Sequence, residues 1–137
     1  MKKAIVFGTF DILHEGHKNF LKQAKSHGEK LVVVVARDDN VVSSKGRKPI
    51  NCMEKRIESV NSLNIADKVI PGKEDRFFDI IWEENPDFIC LGYDQDSKGI
   101  KKEIEKRDSE IKIVRLKPYK EKEYKTSLLR NKRQIDV

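Results

Sequence analysis

The residues with the clearest chemical potential are two histidines near the N-terminus, three positions apart in the segment GTFDILHEGH, residues 8–17. Side chains three positions apart on a helical turn point the same way, so His14 and His17 are expected to converge. The N–H groups at the start of the following helix attract anions. Gly8 and Gly16 let a bulky ligand approach the backbone. This combination predicts a polyphosphate site.

Metal binding is the main alternative for a motif with two histidines. The HxxH spacing offers no third ligand, and zinc-protease helices place their histidines four positions apart around a glutamate. Cys52 and Cys90 are far apart in the sequence and form no CxxC pair, so neither a zinc site nor a disulfide framework is indicated. No protein metal site is therefore predicted, and GTFD just before HEGH argues against two chance surface histidines.

Short apolar runs alternate with helical patterns along the chain. Residues 3–7 and 31–36 are rich in β-branched side chains without polar alternation, as in strands buried on both faces of a parallel sheet. Residues 17–27 carry apolar side chains at helical spacing before Gly28. The same criteria predict helices at 53–63, 77–84, 98–106 and from Thr126, and strands at 68–70, 88–91 and 111–116.

Five such βα repeats predict one Rossmann-like, doubly wound α/β domain over residues 1–137 with a five-stranded parallel sheet. The strand order expected for this sheet is 3-2-1-4-5. Ligands of such sheets lie beyond the carboxyl ends of the strands. Residues 8–11 and 92–96 both directly follow predicted strands. If these strands are neighbours, the two loops face one crevice. Residues 38–49, rich in Ser, Gly and Lys, are the longest candidate mobile loop.

Composition favours a folded protein without a membrane-spanning segment. The chain has 137 residues, of which 38% are charged and 37% hydrophobic. The longest apolar run, residues 31–36, is far shorter than the ~20 residues that span a bilayer. The apolar run near the N-terminus is too short for the core of a signal peptide, so the cytoplasm is the expected compartment.

The formal net charge of +6 is concentrated near the C-terminus, where residues 117–137 hold seven Lys or Arg against three Asp or Glu. A basic segment suits nucleic acid, an anionic membrane or a phosphorylated small molecule. An RNA-binding or other nucleotide-binding module without catalysis is the non-enzyme alternative. It is disfavoured because the body lacks a basic stripe with exposed aromatics, and because no GxGxxG follows the first strand.

GTFD followed by HxGH resembles the superfamily of HxGH nucleotidyltransferases, and the resemblance runs over nearly the whole chain. It implies that the backbone at Thr9 and Phe10, together with His14 and His17, holds a nucleoside triphosphate. The rest of this first block is assigned to the nucleotide site with them: Gly8, Asp11, Glu15 and Gly16.

Other parts of the predicted site come from later loops. The resemblance implies a lysine that faces the phosphates in the loop after the second strand, with Lys45 and Lys48 as the candidates. It also places Asp94 near the ribose or base. The start of the last helix supplies a Ser/Thr pair, Thr126 and Ser127, and Arg130, which is expected to reach a phosphate. An aromatic side chain such as Tyr124 or Phe10 could flank an adenine or isoalloxazine ring.

The expected reaction is in-line attack of an acceptor phosphate on the α-phosphorus, with pyrophosphate leaving. Because negative charge builds on the leaving oxygens, positioning and cationic stabilisation dominate, and no nucleophilic side chain is needed. A divalent cation, Mg²⁺, is expected to neutralise the phosphates. Arg56 could reach this site from the second predicted helix, and a surface role is equally open.

The acceptor is the least determined part of the prediction. The stretches LGYDQ (91–95) and KTSLLR (125–130) resemble archaeal-type FAD synthetases, which favours ATP and FMN as substrates. The alternative is transfer of a cytidylyl group from CTP to glycerol 3-phosphate or another phosphoalcohol. Glycerol-phosphate cytidylyltransferases carry an Arg-Thr-Glu-Gly stretch that is absent here. A homodimer is possible on family grounds.

Overall fold

The computed structural model describes residues 2–73, 78–92, 95 and 97–118, without the side chains of residues 43–45 and 98. Strands and helices alternate through this part of the chain. In chain order they are β1 Lys3–Gly8, α1 Glu15–His27, β2 Lys30–Val35, α2 Asp38–Lys45, α3 Met53–Ser62, β3 Lys68–Pro71, α4 Asp79–Glu84, β4 Phe88–Leu91, α5 Lys98–Lys106 and β5 Lys112–Arg115.

The five strands form one parallel sheet in the order β3-β2-β1-β4-β5. The order and the parallel direction expected from the sequence are therefore confirmed. Strand β1 lies at the centre, where Ala4 pairs with Leu31 of β2 and with Phe88 of β4. The strand order reverses on either side of β1, so its carboxyl end is the place where a ligand is expected in such a sheet.

Alternate residues of the central strands enter two separate cores, because successive side chains of a strand point to opposite faces. Ala4 and Val6 pack in one core with Leu21 of α1 and Val60 of α3. On the other face, the core combines residues of β1, β2 and β4 with residues of α4 and α5: Ile5, Val34, Ile81, Ile89 and Ile104. The sheet is thus covered by helices on both faces, as the doubly wound prediction requires.

The predicted loop at 38–49 is wrong in its first part, because Asp38–Lys45 is the helix α2. The sequence DDNVVSSK is poor in strong helix formers, and propensity alone does not indicate a helix there. Contacts from elsewhere hold it: Arg37 Nε donates to Gly72 O at 2.7 Å, and Asn40 Nδ2 donates to Lys73 O at 2.9 Å. Gly46 ends the helix in the left-handed conformation, with φ of 77°.

Most other observed boundaries of helices and strands differ from the predicted ones by a residue or two, as is usual for helix ends. The helix predicted from residue 77 begins at Asp79, and the helix α1 begins at Glu15 rather than at residue 17. The helix predicted from Thr126 lies outside the described residues. The assignment of residues 1–137 to one domain stays a prediction.

Two ion pairs that share Glu84 link three elements at the amino end of the sheet. Glu84 of α4 contacts Lys3 of β1 at 3.5 Å and Lys68 of β3 at 2.8 Å. Burial acts to raise the pKa of Glu84, but the hydrogen bond from Lys68 and the charges of both lysines outweigh it, so the pKa lies below its ordinary value. The charged form of Glu84 is therefore favoured by folding.

Replacing Glu84 by Gln is expected to lower the free energy of unfolding at pH 7 by about 1 kcal/mol. The contribution of Glu84 is fully present above the ordinary glutamate pKa and is lost as the pH falls through its lowered pKa in the folded protein. Thermal melts of wild type and E84Q should therefore differ at pH 7 and converge in acid. Glu83→Gln removes the exposed pair with Lys73 and is the matched control; an equal effect there would contradict a special role for Glu84.

Candidate active site

His14 and His17 form a reciprocal cap at the start of α1. The backbone N–H of Gly16 donates to Nδ1 of His14 at 3.0 Å, and the backbone N–H of His14 donates to Nδ1 of His17 at 3.2 Å. The ring centroids lie 4.0 Å apart. Ser, Thr, Asp and Asn are the usual residues at helix caps, so histidines at these positions combine a structural cap with imidazole chemistry. The predicted convergence of the two side chains is confirmed.

The cap also determines which ring nitrogen carries the proton. A neutral imidazole has one donor and one acceptor nitrogen. Because Nδ1 of His14 and Nδ1 of His17 each accept a hydrogen bond from a backbone N–H, the proton of each neutral ring lies on Nε2. Both side chains are thereby fixed as donors through Nε2. A phosphate oxygen, which only accepts hydrogen bonds, is the matching ligand.

Burial keeps the rings neutral in the protein without ligand. Burial, together with a smaller effect of the nearby His14, lowers the pKa of His17 to about 3. Burial likewise lowers the pKa of His14, against a smaller opposite effect of the Glu15 charge. Near neutral pH both rings are therefore hydrogen-bond donors rather than full cations, and the negative charge of a bound phosphate would raise both pKa values.

His17 has an unused donor. Its side chain is 3% exposed, and its Nε2 is buried without a hydrogen-bond partner among the described residues. A buried polar group left unbonded costs about 1–3 kcal/mol. A phosphate oxygen placed at Nε2 would remove this cost, which makes the nitrogen a candidate contact for an anionic ligand.

Phe10 lies in the core beside His17 rather than at an exposed position where a ligand ring could stack. Its side chain is 1% exposed and packs against His17 with 5.7 Å between ring centroids. The suggestion that Phe10 flanks a base or a flavin is therefore wrong. The Phe10 ring also gives a reason for glycine at position 8, because a Cβ there would lie 2.7 Å from the ring. The expectation from the sequence is that Gly8 makes room for a ligand. The backbone of Phe10 has a positive φ of 54°, an unusual conformation in which the chain turns from β1 toward α1.

Asp11 fastens the β1–α1 loop, residues 9–14, to the segment before α3. Its two carboxylate oxygens accept hydrogen bonds from the backbone N–H groups of Ile50 at 2.6 Å and Asn51 at 2.8 Å. The Asn51 side chain donates in return to the carbonyl of Asp11 at 2.7 Å. Asp11 thus has a positioning role in the described structure. Its direct contact with a nucleotide stays a prediction.

Arg56 holds the same loop from the helix α3 and is fully buried. It donates to the carbonyl of Thr9 at 2.8 Å, to the carbonyl of Asn51 at 3.0 Å and to the carboxylate of Asp38 at 2.5 Å. The alternative of a surface role is therefore wrong. Its position four residues before Val60, on the apolar face of α3, is the sequence signal that would have indicated burial.

The end of β4 lies beside this loop, as expected for neighbouring strands. Gln95 donates to the carbonyl of Phe7 at 3.0 Å and accepts from the backbone N–H of Gly92 at 2.7 Å. Arg115 donates to the carbonyl of Gly92 at 2.6 Å and also to that of Gln95. Gln95 therefore joins the carboxyl ends of β1 and β4, a role that the sequence did not indicate.

The remaining predicted residues are placed as follows. Thr9 is buried, Glu15 is exposed and pairs with Lys18 at 3.2 Å, and Gly16 provides the N–H bound by His14. Lys48 is exposed in the segment between α2 and α3. Lys45 ends α2, but its side chain is not described. Five predicted residues lie outside the described part of the chain: Asp94, Tyr124, Thr126, Ser127 and Arg130.

In the part of the chain that the structure describes, no group of three or more His, Cys, Asp or Glu side chains is placed to hold a metal ion. These residues therefore do not form a protein cage for a divalent cation. The helices of the described ranges include none of sufficient length and apolar character to cross a membrane.

A doubly wound parallel sheet with a histidine donor pair at the carboxyl end of its central strand defines a nucleotide-binding α/β protein. A family model described as Cytidylyltransferase-like matches residues 5–132. The chain belongs to this family.

The chain is also similar to named relatives and to a protein of known structure. A protein of Archaeoglobus profundus named FAD synthase is 43% identical over 100% of this chain and 88% of its own length. A FAD synthase of Thermococcus sibiricus is 43% identical over 85% of this chain and 80% of its own. The crystal structure of a Thermoplasma volcanium protein, described as a lipopolysaccharide core biosynthesis protein, has a TM-score of 0.80 and 39% identity, covering 87% of this chain and 98% of that one. The resemblance to archaeal-type FAD synthetases is confirmed.

Proposed function

We propose that this protein is an FAD synthase that transfers AMP from ATP to FMN and releases pyrophosphate. The observation that carries the proposal is the reciprocal histidine cap, which fixes the neutral His14 and His17 rings as Nε2 donors and leaves His17 Nε2 buried without a partner among the described residues. Relatives named FAD synthase, similar over most of their own length, support ATP and FMN as the substrates.

In the proposed reaction, a phosphate oxygen of FMN attacks the α-phosphorus of ATP. The new bond joins this oxygen to the α-phosphorus, while the bond from the α-phosphorus to the oxygen that bridges to the β-phosphorus breaks. Charge builds on the leaving pyrophosphate, where hydrogen-bond donors fixed before the reaction are most effective. The Nε2 donors of His14 and His17 are proposed to bind those oxygens, with the N-terminus of α1 adding its partial positive charge.

A divalent cation is proposed to enter with the triphosphate. Mg²⁺ is commonly held by substrate phosphates and water with only one or two protein carboxylates, so it does not need a cage of protein ligands. Its chemistry would be neutralisation of phosphate charge. A cytoplasmic location and a homodimer stay predictions.

The proposal is tested by offering the purified protein each pair of substrates. With ATP and FMN we expect equimolar FAD and pyrophosphate, measured by separation of the flavins and by a coupled pyrophosphate assay. CTP with glycerol 3-phosphate should give no pyrophosphate above background. Turnover of CTP with glycerol 3-phosphate and none of ATP with FMN would overturn the proposal in favour of cytidylyl transfer.

A further inference from the structure

Two large apolar side chains are well exposed in the ranges that the structure describes, Val42 at 39% and Ile50 at 52%. Single exposed apolar residues are ordinary on protein surfaces and need no explanation. Ile50 differs from an ordinary exposed apolar residue because its backbone is hydrogen-bonded to the loop before the histidine cap. Its backbone N–H is bound by the carboxylate of Asp11 at 2.6 Å, and Asp11 is three residues before His14 in the loop that leads to the histidine cap.

The attachment fixes Ile50 beside the proposed active site. The next residue, Asn51, is bound to Asp11 by its own N–H and by its side chain, and its carbonyl accepts from the buried Arg56. Pro49, which precedes Ile50, has a restricted φ. The backbone of Ile50 is therefore held in place before a ligand arrives, so that binding would require little ordering of this segment.

The charge next to Ile50 indicates what kind of molecule it would contact. Lys48 precedes it by two positions and is exposed. An apolar side chain close in sequence to an exposed lysine complements a ligand that joins a flat apolar ring to a phosphate. FMN has both features: the dimethylbenzene edge of its isoalloxazine ring and its terminal phosphate.

The segments near the carboxyl end of β1 leave different groups for a ligand. On the β4 side, the Gln95 side chain and the Gly92 backbone already bond to each other, to Phe7 and to Arg115. The segment with Ile50 and Lys48, attached to the β1–α1 loop through Asp11, presents an exposed apolar side chain and an exposed cation. We infer that Ile50 is a specificity-determining residue that packs against the isoalloxazine ring of the acceptor FMN. The inference rests on the proposed function.

Ile50→Ser is the direct test. Val42→Ser is the matched control, because it also removes an exposed apolar side chain, on α2. Loss of an apolar contact weakens discrimination by about 10-fold or more, so we expect the KM for FMN to rise about tenfold in I50S, while the KM for ATP and kcat stay within about twofold. Ile50→Leu keeps an apolar side chain and should keep the KM for FMN near the wild-type value, and V42S should leave it unchanged. Flavin fluorescence should show the same weakening of FMN binding without ATP.

The other outcomes overturn the inference in distinguishable ways. A rise in the KM for ATP instead of FMN would place the adenine ring at Ile50. Unchanged constants would make Ile50 an ordinary surface residue, and a change of sedimentation with unchanged constants would place it between copies of the chain. If the wild type makes no FAD, the proposed function fails; fluorescence titration of FMN alone then decides the inference, which falls if wild type and I50S bind FMN equally or not at all.

Discussion

His17→Asn is expected to lower kcat by about 10²–10³-fold, the usual loss when one fixed donor to a developing oxyanion is removed. The asparagine Oδ1 can take the position of Nδ1 and accept the N–H of His14, so the cap at the start of α1 remains. The donor at Nε2 is lost. The substitution therefore separates the proposed phosphate contact from the structural contact that the same ring makes.

Alanine is the less informative substitution at this position. The His17 ring is 3% exposed and packs against Phe10, so His17→Ala would remove core packing together with the donor. Loss of activity would then be mixed with loss of stability. His27→Asn makes the same chemical change in the last turn of α1, where the ring contacts Phe88, and it serves as the control.

The measurement for His17→Asn is steady-state FAD formation at saturating ATP and FMN, together with thermal melts of the three proteins. We expect melting temperatures that differ by only a few degrees and a large loss of kcat in H17N alone. Because the pKa of His17 is held near 3, its ring should stay neutral in the free enzyme across pH 5–8. Activity of H17N within about threefold of wild type would remove the basis of the proposed function.

The sheet was predictable because its signals are local. The β-branched runs of β1 and β2 have no polar alternation, which indicates strands covered on both faces. The alternation of these runs with helical patterns indicates a parallel sheet. The histidine pair was predictable for a similar reason, since a three-residue spacing at a helix start determines a common direction. These features require no knowledge of distant contacts.

The parts that were missed depend on contacts far apart in the sequence. The helix α2 has a weak intrinsic propensity, and its position is set by contacts with Gly72, Lys73 and Arg56. The role of Asp11 requires the N–H groups of a segment about forty residues later. Neither pairing leaves a periodic trace in the sequence. Gln95 was missed for the same reason, because its partner is the carbonyl of Phe7.

Arg56 is where these distant contacts meet, and its replacement is expected to have the second large effect. Arg56→Ala would leave the carbonyls of Thr9 and Asn51 without their donor and Asp38 without its partner. Breaking a buried arginine network of this kind costs about 3 kcal/mol of unfolding free energy. Urea unfolding monitored by circular dichroism measures it. Arg107→Ala removes an arginine that stacks on Trp82 at the surface and should cost far less.

Arg56→Lys separates positioning from stability. Lysine keeps the charge, but a single ammonium does not reproduce the fork that binds three acceptors. In R56K we expect a smaller loss of stability, with the protein still fully folded at 25 °C, and a loss of about tenfold or more in kcat through misplacement of the Thr9 carbonyl and the histidine cap. The KM for FMN and the KM for ATP should change much less than kcat.

The double variant His17→Asn/Arg56→Lys tests whether Arg56 acts through the histidine donors. If Arg56 contributes by holding the loop that places His17, its loss matters less once the Nε2 donor is gone, and the two effects on kcat should combine to less than their product. Multiplicative effects would show that Arg56 influences catalysis by another route. Wild-type kcat in R56K would show that the three hydrogen bonds of the guanidinium serve folding alone.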